Sequence, residues 1–194
     1  MVMVDALLET FIHTEENLSE MVIKLNQFLK PHLKPSMFMT MILFEWLPAQ
    51  STMKWVGAGH EYILHVHTGE GAVEAIKAGG LAVGMIADNR KLVHESEMLL
   101  KENDFLVLYS DGITEAKNVQ GEIYGLVRLK NFLQDHASAS TSTEELFEKI
   151  AIDVGRFMEG QTQLDDMTLL VLKHSSAAIA KKAASTEWSA TSGN

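Results

Sequence analysis

Asp104-Phe105-Leu106-Val107-Leu108-Tyr109-Ser110-Asp111-Gly112-Ile113-Thr114-Glu115-Ala116 holds a short, nearly all-apolar run that stops abruptly at an acidic turn. Phe105 to Tyr109 does not alternate, which is the pattern of a strand covered on both faces. Downstream, Asp165-Asp166-Met167-Thr168 runs straight into Leu169-Leu170-Val171-Leu172. Acidic residues therefore stand at the ends of two β-like runs. Carboxylates at strand mouths, in a chain with no cysteine, suit hard divalent cations such as Mg²⁺ or Mn²⁺ better than zinc. Such cations ionise a bound water near neutral pH and clamp phosphoryl oxygens, so the pattern points to metal-assisted phosphate-ester hydrolysis with Asp111 and Asp165 as ligands. The plainer alternative is that Asp-Gly is a common turn and an Asp-Asp pair a solvated loop.

The composition narrows the classes. A chain of 194 residues, 46% hydrophobic and 22% charged, has room for one substantial core and is read as one domain. No apolar stretch is long enough to span a bilayer. The formal net charge of -10, with acidic residues scattered, leaves no basic stripe for nucleic acid. Without cysteine there is no disulfide, thiolate site or cysteine nucleophile, and with no signal-peptide pattern a cytoplasmic location is expected.

Periodicity divides the chain. Met1 to Thr10 is helix-compatible but lacks an N-cap. Leu18, Met21, Val22, Leu25, Phe28 and Leu29 recur at helical spacing within Glu16 to Leu33, ended with help from Pro31 and Pro35. Met37–Leu47, Lys54–Ala58 and Tyr62–His67 read as strands of an antiparallel meander, followed by a weak strand near Val73–Ile76, a glycine-rich turn and a strand at Leu92–Leu99. After the strand that opens at Asp104, helices are expected over Tyr124–His136 and Thr143–Met158, the second with a Ser142-Thr143-Glu144-Glu145 start. A strand over Met167–Lys173 closes the folded part. Residues 175–194, rich in Ala, Ser, Thr and Lys, read as a frayed or disordered tail.

The order of these segments carries a resemblance. Met37-Phe38-Met39-Thr40, Gly57-Ala58-Gly59-His60, Gly80-Leu81-Ala82-Val83-Gly84, the Ser110-Asp111-Gly112-Ile113-Thr114-Glu115-Ala116 segment and Asp165-Asp166-Met167-Thr168 succeed one another as in the SpoIIE/RsbU-type serine phosphatases, a branch of the metal-dependent PPM protein phosphatases. The likeness covers about Met1 to Lys173. It implies an α+β fold, an α-β-β-α sandwich of two antiparallel sheets flanked by helices, with a binuclear Mn²⁺ or Mg²⁺ centre. It also implies removal of phosphate from serine or threonine of a regulatory protein, often an anti-sigma-factor antagonist, in partner-switching signalling. By position Asp111 and Asp165 match metal-binding aspartates of the family, Asp166 is assigned no role, and an activated water replaces any side-chain nucleophile.

Departures are as informative. The family's Gly-Asp-x-x-Asp strand and Asp-x-Ser-Gly-x-Gly loop do not occur in these residues, and Gly57 stands where the family usually has Asn. The expectation is thus an N-terminally truncated domain, beginning within the helix that follows the glycine loop. Two carboxylates hold a pair of hydrated cations weakly, so this polypeptide alone should be a poor phosphatase. Exposed sheet edges would invite association with another chain, a homodimer among the outcomes. The contrasting hypothesis is a catalytically inactive, phosphatase-like binding module that engages a regulatory partner.

Other residues read more plainly. His60, His65 and His67 are taken as structural, since no acidic or histidine partner of fixed spacing completes a ligand set. The eleven methionines fill apolar runs. The helix over Glu16–Leu33 reads as a sheet cover rather than a docking face. Gly79-Gly80 lacks the Lys-Ser/Thr ending of a phosphate loop.

Overall fold

The computed structural model describes residues 2–14, 17–34, 36–161, 163 and 165–175. Helices α1 (Val2–Thr14) and α2 (Leu18–Leu29) precede strands β1 (Met41–Leu47), β2 (Thr52–Ala58), β3 (His60–His67), β4 (Ala72–Gly79), β5 (Glu95–Leu99) and β6 (Phe105–Tyr109). A four-residue helix, α3 (Asp111–Thr114), then α4 (Gly125–His136), α5 (Thr143–Met158) and β7 (Leu169–Lys173) complete the order. The strands form two sheets, ordered β1-β2-β5 and β4-β3-β6-β7. These are the two antiparallel sheets with flanking helices that the family resemblance implies. The expected tail lies outside the described residues from 176 onward.

The chain divides into two compact units, Met1–Tyr62 with Lys77–Leu99, and Ile63–Ile76 with Leu100–Asn194. In the first, α2 is opened by Asn17, whose side chain accepts from the Glu20 backbone N–H at 2.9 Å, the standard way to satisfy an orphan donor at a helix start. Leu18, Met21, Val22, Leu25 and Leu29 are buried and pack with Val56, Ala58 and Val83. Each fully buried apolar side chain of this size contributes about 1.5–3 kcal/mol, so this stripe anchors the unit. Phe28, counted in the same periodic set, is instead exposed and stacks on His32.

The meander ends sooner than periodicity suggests. β2 pairs with β1 from Thr52↔Leu47 to Ala58↔Met41, and its other neighbour is β5, with Thr52↔Leu99 and Val56↔Glu95. β3 belongs to the other sheet. Gly59, at φ 81°, supplies a left-handed residue between β2 and β3, a conformation that side-chain-bearing residues resist. Trp55 to Ala58 and Ile63 to Val66 are each four consecutive buried residues, so the alternation expected of Tyr62–His67 is not kept in burial, and periodicity does not reveal which strand lies beside which.

Gly57 has a different reason to be glycine. A Cβ there would lie 2.1 Å from the Ala78 carbonyl oxygen, and one on Gly80 would lie 1.9 Å from the Gly57 oxygen. Two backbones therefore touch directly, beside a Trp55 indole N–H that donates to the Ala78 oxygen at 3.3 Å. Asn26, fully buried on α2, fastens the next turn: its amide nitrogen donates to the Ile86 oxygen at 3.1 Å and its oxygen accepts from the Gly84 N–H at 2.8 Å.

In the second unit, Phe105, Leu106 and Val107 are at most 2% exposed, as a non-alternating strand requires. β6 pairs antiparallel with β7 from Phe105↔Lys173 to Tyr109↔Leu169 and with β3 through Leu64↔Val107 and Val66↔Phe105. Helix α5 starts at Ser142, whose hydroxyl accepts from the Glu145 N–H at 3.0 Å. It buries Leu146, Ile150, Val154 and Met158, a four-residue repeat down one face.

Replacing Gly57 by Asn, the residue expected there from the family resemblance, should lower unfolding stability by about 1–3 kcal/mol, the cost of forcing atoms into a filled site. Urea unfolding followed by circular dichroism measures it; an unchanged midpoint would show that the Ala78 backbone moves away freely.

Candidate functional site

The β6–β7 register places the two acidic loops together. Because Tyr109 pairs with Leu169, the residues just after β6 and just before β7 emerge at the same end of the sheet. Ser110 links them. Its N–H donates to the Thr168 oxygen at 3.0 Å, its hydroxyl donates to the Asp166 oxygen at 2.9 Å, and the Thr168 N–H donates back to that hydroxyl at 2.9 Å. One serine side chain thus serves as donor and acceptor across 56 to 58 residues of sequence. No spacing rule identifies it, although its place directly before Asp-Gly was the available signal.

Asp111 begins α3, and its backbone oxygen accepts from the Glu115 N–H at 2.8 Å and the Thr114 hydroxyl at 3.3 Å. Gly112 is buried, and a Cβ on it would stand 2.5 Å from the Asp166 oxygen and 3.4 Å from that of Asp165. The loops meet backbone to backbone because Gly112 has no side chain. Asp165 turns inward on its own loop: its Oδ1 accepts from the Asp166 N–H at 2.8 Å, and its backbone oxygen accepts from the Gln163 amide at 2.8 Å. A small cavity of about 80 Å³ opens here, lined by Gly112, Glu115, Ala116, Lys117, Met158, Asp165 and Met167.

Asp111, Glu115, Asp165 and Asp166 are all exposed. The adjoining loops carry four exposed carboxylates, but among the described residues no three of them bring their ligand atoms within 4.8 Å of one another. Carboxylate oxygens are the donor type that Mg²⁺ and Mn²⁺ prefer, and the direct backbone contact at Gly112 holds the two loops against each other.

The histidines have an acidic partner that spacing does not show. His65 and His67 share one face of β3, and Asp104, the residue just before β6, completes a group whose ligand atoms lie within 4.8 Å of one another. The set escaped sequence spacing because its carboxylate arrives through strand pairing, 39 residues from His65. Burial pulls the His65 imidazole below its ordinary pKa, against the opposing pull of its hydrogen bond to Asp104. This group sits at the other end of β6 from Asp111.

Comparisons with known proteins agree with the architecture. The family model for Stage II sporulation protein E (SpoIIE) matches residues 1–175. Phosphoserine phosphatase RsbU of Bacillus subtilis is 27% identical over 169 residues, which is 87% of this chain and 48% of RsbU. Protein IcfG of Synechocystis sp. is 26% identical over 141 residues, 73% of this chain and 21% of IcfG. The chain thus spans about half or less of the length of these curated relatives.

Among solved structures, the SiaA-PP2C domain of Pseudomonas aeruginosa matches with a TM-score of 0.73 at 18% identity, over 88% of this chain and 66% of that one. The Mn-presoaked phosphatase domain of SpoIIE from Bacillus subtilis matches with a TM-score of 0.60 at 18% identity, over 89% and 74%. The fold is that of PP2C phosphatase domains.

Ser110→Ala removes two side-chain hydrogen bonds at once and should cost about 1–3 kcal/mol, at 0.5–1.5 kcal/mol for each. Hydrogen exchange should show faster opening at Thr168, with α5 unaffected; equal protection of Thr168 in both proteins would count against the bridge. With its family model matched over residues 1–175 and its fold shared with PP2C phosphatase domains, the chain belongs to the SpoIIE family, in the SpoIIE/RsbU branch of the PPM-type phosphatases.

Proposed function

We propose that this domain removes phosphate from a phosphoserine or phosphothreonine of a small regulatory protein, of the anti-sigma-factor antagonist type, in a partner-switching pathway. The observation that carries the reading is the joining of the Asp111 and Asp165 loops through Ser110 and the bare backbone of Gly112. The likeness to a phosphoserine phosphatase, RsbU, supports the substrate class.

Asp111 and Asp165 would hold Mn²⁺ or Mg²⁺ through their carboxylates. When bound, such ions supply charge neutralisation at phosphorus and a water ionised near neutral pH. The protein's part is to keep the carboxylates at fixed separation and to tolerate a dianionic group beside them. Asp111, Glu115, Asp165 and Asp166 are exposed acids on adjoining loops, and by themselves they repel phosphate. Cations between them and the substrate reverse that sign, so the reaction should be strictly metal-dependent. The sandwich implied by the family supplies further acidic ligands on motifs that these 194 residues do not contain.

The second reading, a binding module without turnover, rests on that same shortage of ligands. Calorimetric titration of the 194-residue chain with Mn²⁺ should show weak binding, with slow hydrolysis of p-nitrophenyl phosphate. Tight binding of two ions with robust turnover would reverse this expectation. Joined behind a segment carrying the two missing motifs, the chain should dephosphorylate a phosphoserine peptide in Mn²⁺. Asp111→Asn or Asp165→Asn should then each cut kcat by about 100-fold or more, as loss of a group acting on the transition state does. Unchanged turnover in both variants would overturn the assignment of these residues.

A further inference from the structure

From the geometry of His65, His67 and Asp104 we infer a second metal site, specific for a borderline divalent cation of the Zn²⁺ class and separate from the Asp111–Asp165 loops. Five strand residues, Phe105 to Tyr109, stand between the two places, on the order of 15–20 Å at about 3.3 Å per residue. No ligand of one site can serve the other.

The spacing fits a tetrahedral ion. Bonds of about 2.0–2.1 Å to nitrogen or oxygen place ligand atoms roughly 3.3 Å apart. His65 Nε2 lies 2.9 Å and His67 Nδ1 3.7 Å from the same oxygen, Asp104 Oδ2. The two imidazole rings tilt towards each other with centroids 3.8 Å apart. The three ligand atoms lie within 4.8 Å of one another, and the side chains draw together to close on a cation. Successive odd positions of a strand put both rings on one face without backbone strain.

The surroundings of His67 also suit a cation. Glu74 Oε2 lies 3.5 Å from His67 Nε2, at the ring nitrogen other than the one that faces Asp104. That other nitrogen, Nδ1, is buried without a hydrogen-bond partner and faces the Asp104 carboxylate. Nδ1 and Asp104 Oδ2 thus stand 3.7 Å apart without a hydrogen bond between them, in a place where Asp104 is 2% exposed and His65 4%. A buried acceptor left unmatched is costly, and a divalent ion would satisfy both.

Asp104 is held ready by the backbone. Its Oδ1 accepts from the Thr68 N–H at 3.3 Å and its Oδ2 from the Lys101 N–H at 3.1 Å. The nearby Lys101 ammonium is engaged by Glu70 at 2.7 Å. His67, 21% exposed, gives the entry route. Binding at His65 Nε2 takes the place of its hydrogen bond to Asp104 Oδ2, and the proton of the neutral ring moves to Nδ1, so that Nε2 offers its lone pair. Two imidazoles with one carboxylate favour Zn²⁺ over Mg²⁺ or Mn²⁺, and three protein ligands leave the fourth position for water or a partner's side chain.

Zn²⁺ titration of the chelator-stripped full chain by calorimetry, with metal counted after dialysis, tests the site. One Zn²⁺ per chain is expected, retained in Asp111→Asn/Asp165→Asn and not displaced by excess Mn²⁺. His67→Ala should weaken binding by about 100-fold or more and Glu74→Gln by about 10-fold, with circular dichroism unchanged. On the unmodified protein, Zn²⁺ should protect His67 from acylation by diethyl pyrocarbonate, a readout that needs no variant to fold. Absence of Zn²⁺ binding, equal affinity in His67→Ala, loss of the ion in the double Asn variant, or acylation of His67 at the same rate with and without Zn²⁺ would each overturn the inference.

Discussion

The pairing of β6 with β7 is the constraint on which the second unit depends. Phe105, Leu106, Val107 and Tyr109 are nearly inaccessible, so β6 must find backbone partners on both edges, and β3 and β7 supply them. A slip of one residue against β7 would turn every side chain of that strand to the opposite face. It would also unhook Ser110 from Asp166 and Thr168. The register that buries the strand is therefore the register that assembles the acidic loops, and core packing and site geometry are a single choice.

Glycine plays a comparable part in both units through close approach. Gly57 and Gly80 let two backbones touch in the first unit, and Gly112 lets the α3 turn touch the Asp165–Asp166 segment in the second. An Asn at position 57 would bring amide donors and acceptors to this place. Gly57 offers only backbone, and the Ala78 carbonyl occupies the space instead. The departure from the family's usual residue is thus matched by a local structural adaptation.

Legibility in the sequence followed the range of the interaction. Helices α2 and α5, set by three- and four-residue spacing and, for α5, by the cap at Ser142, could be read from local pattern; the Asn17 cap, one residue inside the expected Glu16 start, was not read. So could β6, whose lack of alternation states its burial. The assignment of β3 to a different sheet from β2 could not, because alternation encodes a face and not a neighbour. Asp111 and Asp165 were visible as motifs at strand ends. Ser110 as the bridge, Asp104 as a histidine partner and the strict need for Gly57 were not, since each acts on residues 20 or more positions away.

The two ends of β6 differ in chemistry in a way that follows from their surroundings. At the Asp111 end the groups are exposed carboxylates, and exposure lets hydrated ions such as Mg²⁺ keep most of their water. At the Asp104 end the carboxylate is almost wholly buried beside two imidazoles, where an ion must shed water and accept nitrogen. A cation suited to one end is poorly suited to the other. On the two proposals above, the strand would separate the donor sets in space and in selectivity, so that zinc-class metal at the histidines need not compete with manganese or magnesium at the aspartates.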